Sequence, residues 1–138
     1  MKITLAHVSK ITNYRIPWIY FGSSYSKMNR CRNRLYESRI NLQQANHQQA
    51  EKQKKYFLKW IEEQRISNKD SIHWWMTQIA GRNNSYSNFF LNLCQLFAIK
   101  DYLKKNNQEN EILIICEDAF LLKLLSQNLL PEFKLKLP

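Results

Sequence analysis

Glu111-Ile-Leu-Ile-Ile-Cys116-Glu117-Asp118-Ala-Phe-Leu-Leu-Lys-Leu-Leu-Ser-Gln-Asn-Leu-Leu130 is the stretch from which the fold can be read. Its first six residues hold a continuous, largely β-branched apolar run, Ile112 to Cys116, bounded by polar positions, the pattern of a strand covered on both faces. Glu117 and Asp118 follow at the carboxyl end of that strand. Phe120, Leu121, Leu124, Leu125 and Leu129 then recur at helical spacing, which predicts a helix from Ala119 to about Leu130 with Asp118 as its N-cap. Pro131 ends the helix, and Glu132-Phe-Lys-Leu-Lys-Leu-Pro138 alternates like the entrance to another strand. Strand, helix and the start of a strand are the opening of a parallel sheet, so the expected fold class is α/β. Such a sheet closes its core only with several strands. The expectation is therefore the N-terminal part of a longer protein, or a truncated reading frame, ending one strand in.

Upstream of this unit the sequence is mostly helical. Phe89, Phe90, Leu93, Cys94, Leu96, Phe97, Ile99 and Leu103 give a broad apolar face to a helix starting near Ser87, and Lys100, Lys104 and Lys105 suit its C-terminal dipole. A turn at Gly81-Arg-Asn-Asn-Ser85 separates it from a helix over Ile72–Ile79, capped by Ser67 or Asp70 and carrying His73, Trp74 and Trp75. Between Ser26 and Gln64 there is no Gly or Pro, which predicts one long helix or two split near Asn46-His47. Its apolar stripe is thin until Tyr56, Phe57, Trp60 and Ile61, as in a helical arm anchored at one end. Residues 13–25 are aromatic-rich and interrupted by Pro17, and read as irregular or extended chain covering something apolar. Met1–Ser9 reads as a short strand or extended arm. The expected organisation is a basic N-terminal segment with a long helix over 1–66, and a partial α/β domain over 67–138.

Composition sets the outer bounds. The chain has 138 residues, 44% hydrophobic and 13% aromatic with 2 Gly and 3 Pro, which fits one core-forming domain rather than a low-complexity chain. Cys31, Cys94 and Cys116, with His7, His47 and His73, show no metal-ligand spacing and no disulfide framework, so no metal and no cofactor is expected and a reducing, cytoplasmic setting is. No signal peptide is evident at the N-terminus, and no run approaches the roughly 18–20 apolar residues of a membrane span. The formal charge of +10 falls entirely within residues 1–60, where 12 Lys or Arg face 2 Glu. Three explanations fit: an anionic partner, an acidic segment packed against that part, or solubility charge.

Few residues carry a chemical signal. Gly22 and Gly81 belong to no dinucleotide or P-loop sequence. Asp118, with Glu117, stands where open α/β sheets place ligand-binding groups and could hold a sugar or ribose hydroxyl, although a helix cap already accounts for it. His73 has no identifiable catalytic mate, and no residue is assigned as catalytic. Arg30 and Arg32 flank Cys31 and would depress its thiol pKa if it were exposed. The concentrated basic signal is Lys27, Arg30, Arg32, Arg34 and Arg39, with Lys27, Arg30 and Arg34 on one helical face. That patch supports an alternative function, a basic helical protein binding nucleic acid or an acidic protein.

Asp70-Ser-Ile-His-Trp-Trp-Met-Thr-Gln-Ile-Ala-Gly-Arg-Asn-Asn84, Ser87-Asn-Phe-Phe-Leu-Asn-Leu-Cys-Gln-Leu96 and Ile112-Leu-Ile-Ile-Cys-Glu-Asp118 occur in an order that resembles the N-terminal region of bacterial surface-polysaccharide biosynthesis proteins. The resemblance covers roughly residues 55–130. It implies a Rossmann-like, GT-B-type transferase that uses nucleotide-activated sugars, of which this region is the entry to the acceptor-side domain. On that resemblance His73 and Asn83 join Asp118 as candidate ligand-contacting residues. Donor-binding and catalytic portions would lie in a missing C-terminal part, leaving no complete active site in this chain.

Overall fold

Ile112, Leu113, Ile114, Ile115 and Cys116 have no exposed surface, because the strand they form lies at the centre of the sheet with neighbours on both edges and side chains packed on both faces. The computed structural model describes residues 2–76, 88–106, 111–129 and 134–136. Its strands are β1 (Lys2–His7), β2 (Trp18–Phe21), β3 (Arg39–Ile40), β4 (Glu111–Cys116) and β5 (Lys134–Lys136). Its helices are α1 (Tyr25–Arg34), α2 (Gln43–Ser67), α3 (Ile72–Trp75), α4 (Phe89–Lys105) and α5 (Ala119–Leu129). The five strands are all parallel, in the order β3-β2-β4-β1-β5. The fold is α/β, as the sequence predicts.

The chain divides into two compact units, one of residues 1–42 and 99–138, the other Gln43–Ala98. The sheet occupies the first and takes three of its five strands from the first 42 residues. This differs from the expected division near residue 66, which set the basic N-terminal segment apart from the α/β part. The reason is pairing: β1 runs in register with β4 from Lys2↔Glu111 to His7↔Cys116, and β2 pairs with the other edge of β4 from Trp18↔Leu113 to Phe21↔Cys116. Residues 18–21 accordingly take the extended of the two expected forms, as a fully buried strand. Pro17 stands just outside it, where its missing N–H costs no ladder bond and its carbonyl accepts from Leu113 N–H at 2.9 Å.

The stretch without Gly or Pro is broken at residues 35–42, not at Asn46-His47. Leu35 and Leu42 are buried there, the Trp18 indole N–H donates to the Glu37 carbonyl at 2.9 Å, and Arg39 and Ile40 pair with Trp18 and Ile19. Tertiary pairing overrides helix propensity at this point. The cap of α3 is Ser71, whose hydroxyl accepts from Trp74 N–H at 3.3 Å, in place of Ser67 or Asp70. The expected turn at Gly81 and the helix start at Ser87 lie outside the described residues.

One face of the sheet packs Ala6, Trp18, Tyr20, Leu113 and Ile115 against Ile11, Cys31 and Leu35, which puts α1 on that face. The alternating residues Ile3, Leu5, Ile19, Ile112 and Ile114 are buried on the other. Helix α5 packs on β1 and β4 through a buried stripe of Leu121, Leu125 and Leu129. In the second unit, Phe57 lies 6.0 Å from Trp60, 6.0 Å from Phe89 and 4.8 Å from Phe90, a cluster built at the three-residue spacing of α2 and the start of α4. Ile61 is buried. Among the described residues no helix is long and apolar enough to cross a membrane.

Candidate functional site

Two connections leave adjacent strands in opposite directions: β2 leads through α1 outward to β3, while β4 leads through α5 to β5, beyond β1. The carboxyl ends of β2 and β4 therefore flank a topological switch point, the place where open parallel sheets form a crevice. Gly22-Ser23-Ser24 opens on it from β2, Glu117-Asp118 from β4, and His7 ends the neighbouring β1.

Glu117 is the hub. Its backbone N–H donates to the Phe21 carbonyl at 2.9 Å, prolonging the ladder and directing the side chain toward the N-terminus of α1. There its Oε1 accepts from the Tyr20 hydroxyl and from Ser24 N–H at 3.1 Å. Gly22 makes room for this: a Cβ at that position would sit 2.4 Å from the carboxylate carbon of Glu117. Ser24 caps α1, its Oγ accepting from Lys27 N–H at 3.3 Å. Burial pushes the Glu117 carboxyl up, but the hydrogen bonds from Tyr20, Ser24 and Ser23 and the charge of Lys27 outweigh it, and the net shift is downward. Burial, reinforced by the bond to Glu117, pushes the Tyr20 hydroxyl up. At neutral pH the pair is thus a carboxylate and a neutral phenol.

His7 fixes the opposite rim. Its Nε2 lies 3.1 Å from the Glu117 carbonyl, which can only accept, so Nε2 carries the proton; Nδ1 then accepts from Ser9 N–H at 3.3 Å and from the Ser9 hydroxyl at 2.7 Å. Asp118 caps α5, its Oδ1 accepting from Phe120 N–H at 2.8 Å. The N-terminus of α5 is therefore held by a carboxylate, whereas that of α1 is capped by the Ser24 hydroxyl, with Glu117 holding the backbone N–H of Ser24 just ahead of the helix.

The thiols offer no nucleophile. Cys116 is fully buried, and burial, followed by the charge of Asp118, pushes it up to about 12. Cys31 is buried too, so the exposure on which a depressed pKa depended is not met, and burial pushes its thiol up despite Arg34 and Arg30. Among the described residues no group of His, Cys, Asp or Glu is placed to hold a metal ion.

Of the residues singled out in the sequence, Asp118 lies at this crevice, His73 is exposed on α3 in the second unit, and Asn83 is outside the described residues. Lys27, Arg30, Arg32 and Arg34 are exposed on α1, and Arg39 is exposed on β3. Sequence reasoning missed Tyr20, Gly22, Ser24 and His7. A usable signal was present: a short aromatic run, a glycine and a serine cap ahead of a helix form a strand-to-helix turn. A cavity of about 300 Å³ in the second unit, lined by Asn46, His47, Ala50, Asn88, Phe90, Leu91 and Cys94, is mostly apolar. The convergent hydrogen-bonding groups are at the sheet crevice, and the chemistry is read from there. Comparison with protein families, with curated proteins and with solved structures finds no match.

Proposed function

We propose that the crevice at β2 and β4 binds saccharide hydroxyls, and that the chain supplies the acceptor-side portion of a Rossmann-like, GT-B-type transferase of surface-polysaccharide assembly, without a complete active site of its own. The observation that carries this reading is a carboxylate at the head of each helix, Asp118 on the first turn of α5 and Glu117 on the Ser24 N–H just ahead of α1. In nucleotide-binding sheets such termini receive phosphate. Here a phosphate would meet two like charges, whereas a sugar hydroxyl can donate to either carboxylate. The crevice chemistry thus suits a neutral sugar ring better than the pyrophosphate of a nucleotide-activated donor. That matches the acceptor role implied by the resemblance of residues 55–130, and leaves donor binding to the rest of such an enzyme.

Amide chemical shifts of the isotopically labelled chain, followed during titration with a panel of neutral hexoses and hexosamines and separately with UDP, test the reading. Saccharides should move the signals of Ser23, Ser24, Glu117 and Phe120, and Glu117→Gln should abolish most of that response. If UDP moves those signals and no saccharide does, the site is a nucleotide site and the proposal fails.

A further inference from the structure

The saccharide reading of the crevice leaves a set of cations unused. Arg15, Lys27, Arg30, Arg32, Arg34 and Arg39 are all exposed, and none forms an ion pair with a described residue; ion pairs elsewhere include Lys2 with Glu111, Lys59 with Glu63 and Arg65 with Glu62. Glu117, whose carboxyl the charge of Lys27 helps to hold below its ordinary value, faces the Lys27 end of this set.

Their arrangement is directional. Cys31 and Leu35, with Met28, turn α1 toward the sheet, and at 3.6 residues per turn Lys27, Arg30 and Arg34 then share one flank. The helical rise sets them about 4.5 and 6 Å apart along the axis, on the scale of successive sugar rings in a chain. The Lys27 end belongs to the crevice, since its backbone N–H is bonded to the Ser24 hydroxyl while Ser24 N–H holds Glu117. At the other end Arg34 donates to the Ile11 carbonyl at 3.2 Å, and Tyr36 N–H donates to the Tyr14 carbonyl at 3.5 Å. The Arg15 guanidinium lies 5.6 Å from the centroid of the Tyr36 ring, and Tyr36 is 70% exposed. A ridge of positive charge thus leads from the crevice to an exposed aromatic surface.

We infer that this ridge seats an acidic glycan, a run of carboxylate-bearing sugar units joined to a neutral one, running along Lys27, Arg30 and Arg34 with a ring against Tyr36 and the neutral unit in the crevice. The inference rests on the saccharide reading of the crevice and names the acceptor class for it. Arginine pairs with carboxylates through two parallel hydrogen bonds, which suits Arg30 and Arg34 to uronate-type groups. The crevice, with Glu117 and Asp118, admits only an uncharged unit.

Binding of a fluorescently labelled oligouronate that ends in a neutral hexose, measured against a neutral glucan oligomer of equal length and against poly(U), decides the matter. The oligouronate should bind at least tenfold more tightly than the neutral oligomer. Its affinity should fall about twentyfold between 50 and 200 mM NaCl, as three contacts give at the ~0.7 counterions per contact of a single-stranded polyanion. Arg30→Ala with Arg34→Ala should weaken it at least tenfold, and Lys54→Ala with Lys55→Ala, on α2, should leave it unchanged. Equal binding of acidic and neutral oligomers would overturn the inference while leaving the crevice reading standing. Tighter binding of poly(U) at equal charge would make the ridge a nucleic-acid surface, and indifference to the arginine changes would reduce it to solubility charge; either result overturns it. If the oligouronate binds as expected but Glu117→Gln leaves the hexose-induced shifts intact, the crevice reading fails on its own.

Discussion

The sheet unit and the helical unit bury apolar side chains by different means. In the sheet unit the contacts are non-local: β1 and β4 pair along six residues although more than a hundred positions separate them, and Ile112 to Cys116 have no exposed surface. In the helical unit they are partly local. Helix α2 runs for 25 residues with Gln49 and Ile61 buried, and its packing comes from the Phe57–Trp60 pair meeting Phe89 and Phe90. Tyr56, Trp60, Ile66, Ile72 and Met76 stay exposed to between 38% and 78%. The difference teaches where chemistry can be held. Polar groups on the rim of a fully buried sheet are fixed by the ladder beneath them, as Glu117 is by its bond to Phe21, while a half-exposed helix positions its side chains mainly through its own spacing.

Three substitutions would break or sharpen that comparison. Ile114→Ala, in the strand that pairs with both β1 and β2, should have the largest effect, about 2–5 kcal/mol of unfolding free energy in urea. Amide exchange should then accelerate through β1, β2 and β4 together. Phe57→Ala removes the hub of the aromatic cluster, but from a half-buried site, so the expected cost is nearer about 2 kcal/mol, below the range for a fully buried ring. Exchange should rise at residues 54–64 and 89–93 and stay unchanged in β4. Equal acceleration in β4 would mean that the two units open as one, and the contrast would dissolve.

Gly22→Ala should be the mildest, about 1–2 kcal/mol, because the clash is with a side chain that can swing away at the expense of its hydrogen bonds. In a Glu117→Ala background the same change should cost almost nothing, which a double-mutant cycle reads directly. Acid titration supplies the sign. The Glu117 carboxyl titrates lower in the folded chain than its ordinary 4.5, so its contribution is present above that pH and is lost as the pH falls through the folded value. The stability difference between the natural chain and Glu117→Gln should therefore shrink as unfolding is measured from pH 7 down to pH 3. A difference that grows toward acid would show that the carboxylate strains the turn.

The strand at Glu111–Cys116, the helix after it and the Asp118 cap were legible because each depends on neighbours in sequence: an unbroken apolar run, a helical spacing, and a side chain two residues from the N–H it holds. β2 and β3 were not. Four buried residues after a proline have no alternation to read, and the two residues of β3 are a strand only because Trp18 and Ile19 lie beside them. The same pairing ended a helix that no Gly or Pro would have stopped. The site divided likewise: two acids at a strand end are visible in the sequence, but the tyrosine that donates to one of them is 97 residues away.

What the sequence by itself determined is the α/β class, the central strand with its following helix, the concentration of positive charge before residue 60, and the reading of Lys27, Arg30 and Arg34 as one flank. These are composition and periodicity, properties of short windows. Only the tertiary structure decided that the basic segment supplies three strands of the sheet, that Cys31 is buried rather than reactive, and that Glu117 lies in the space left by Gly22 at the head of α1. Those depend on which strands become neighbours. In a parallel sheet that is settled by long crossovers and by the burial of both faces at once, which no short window of sequence records.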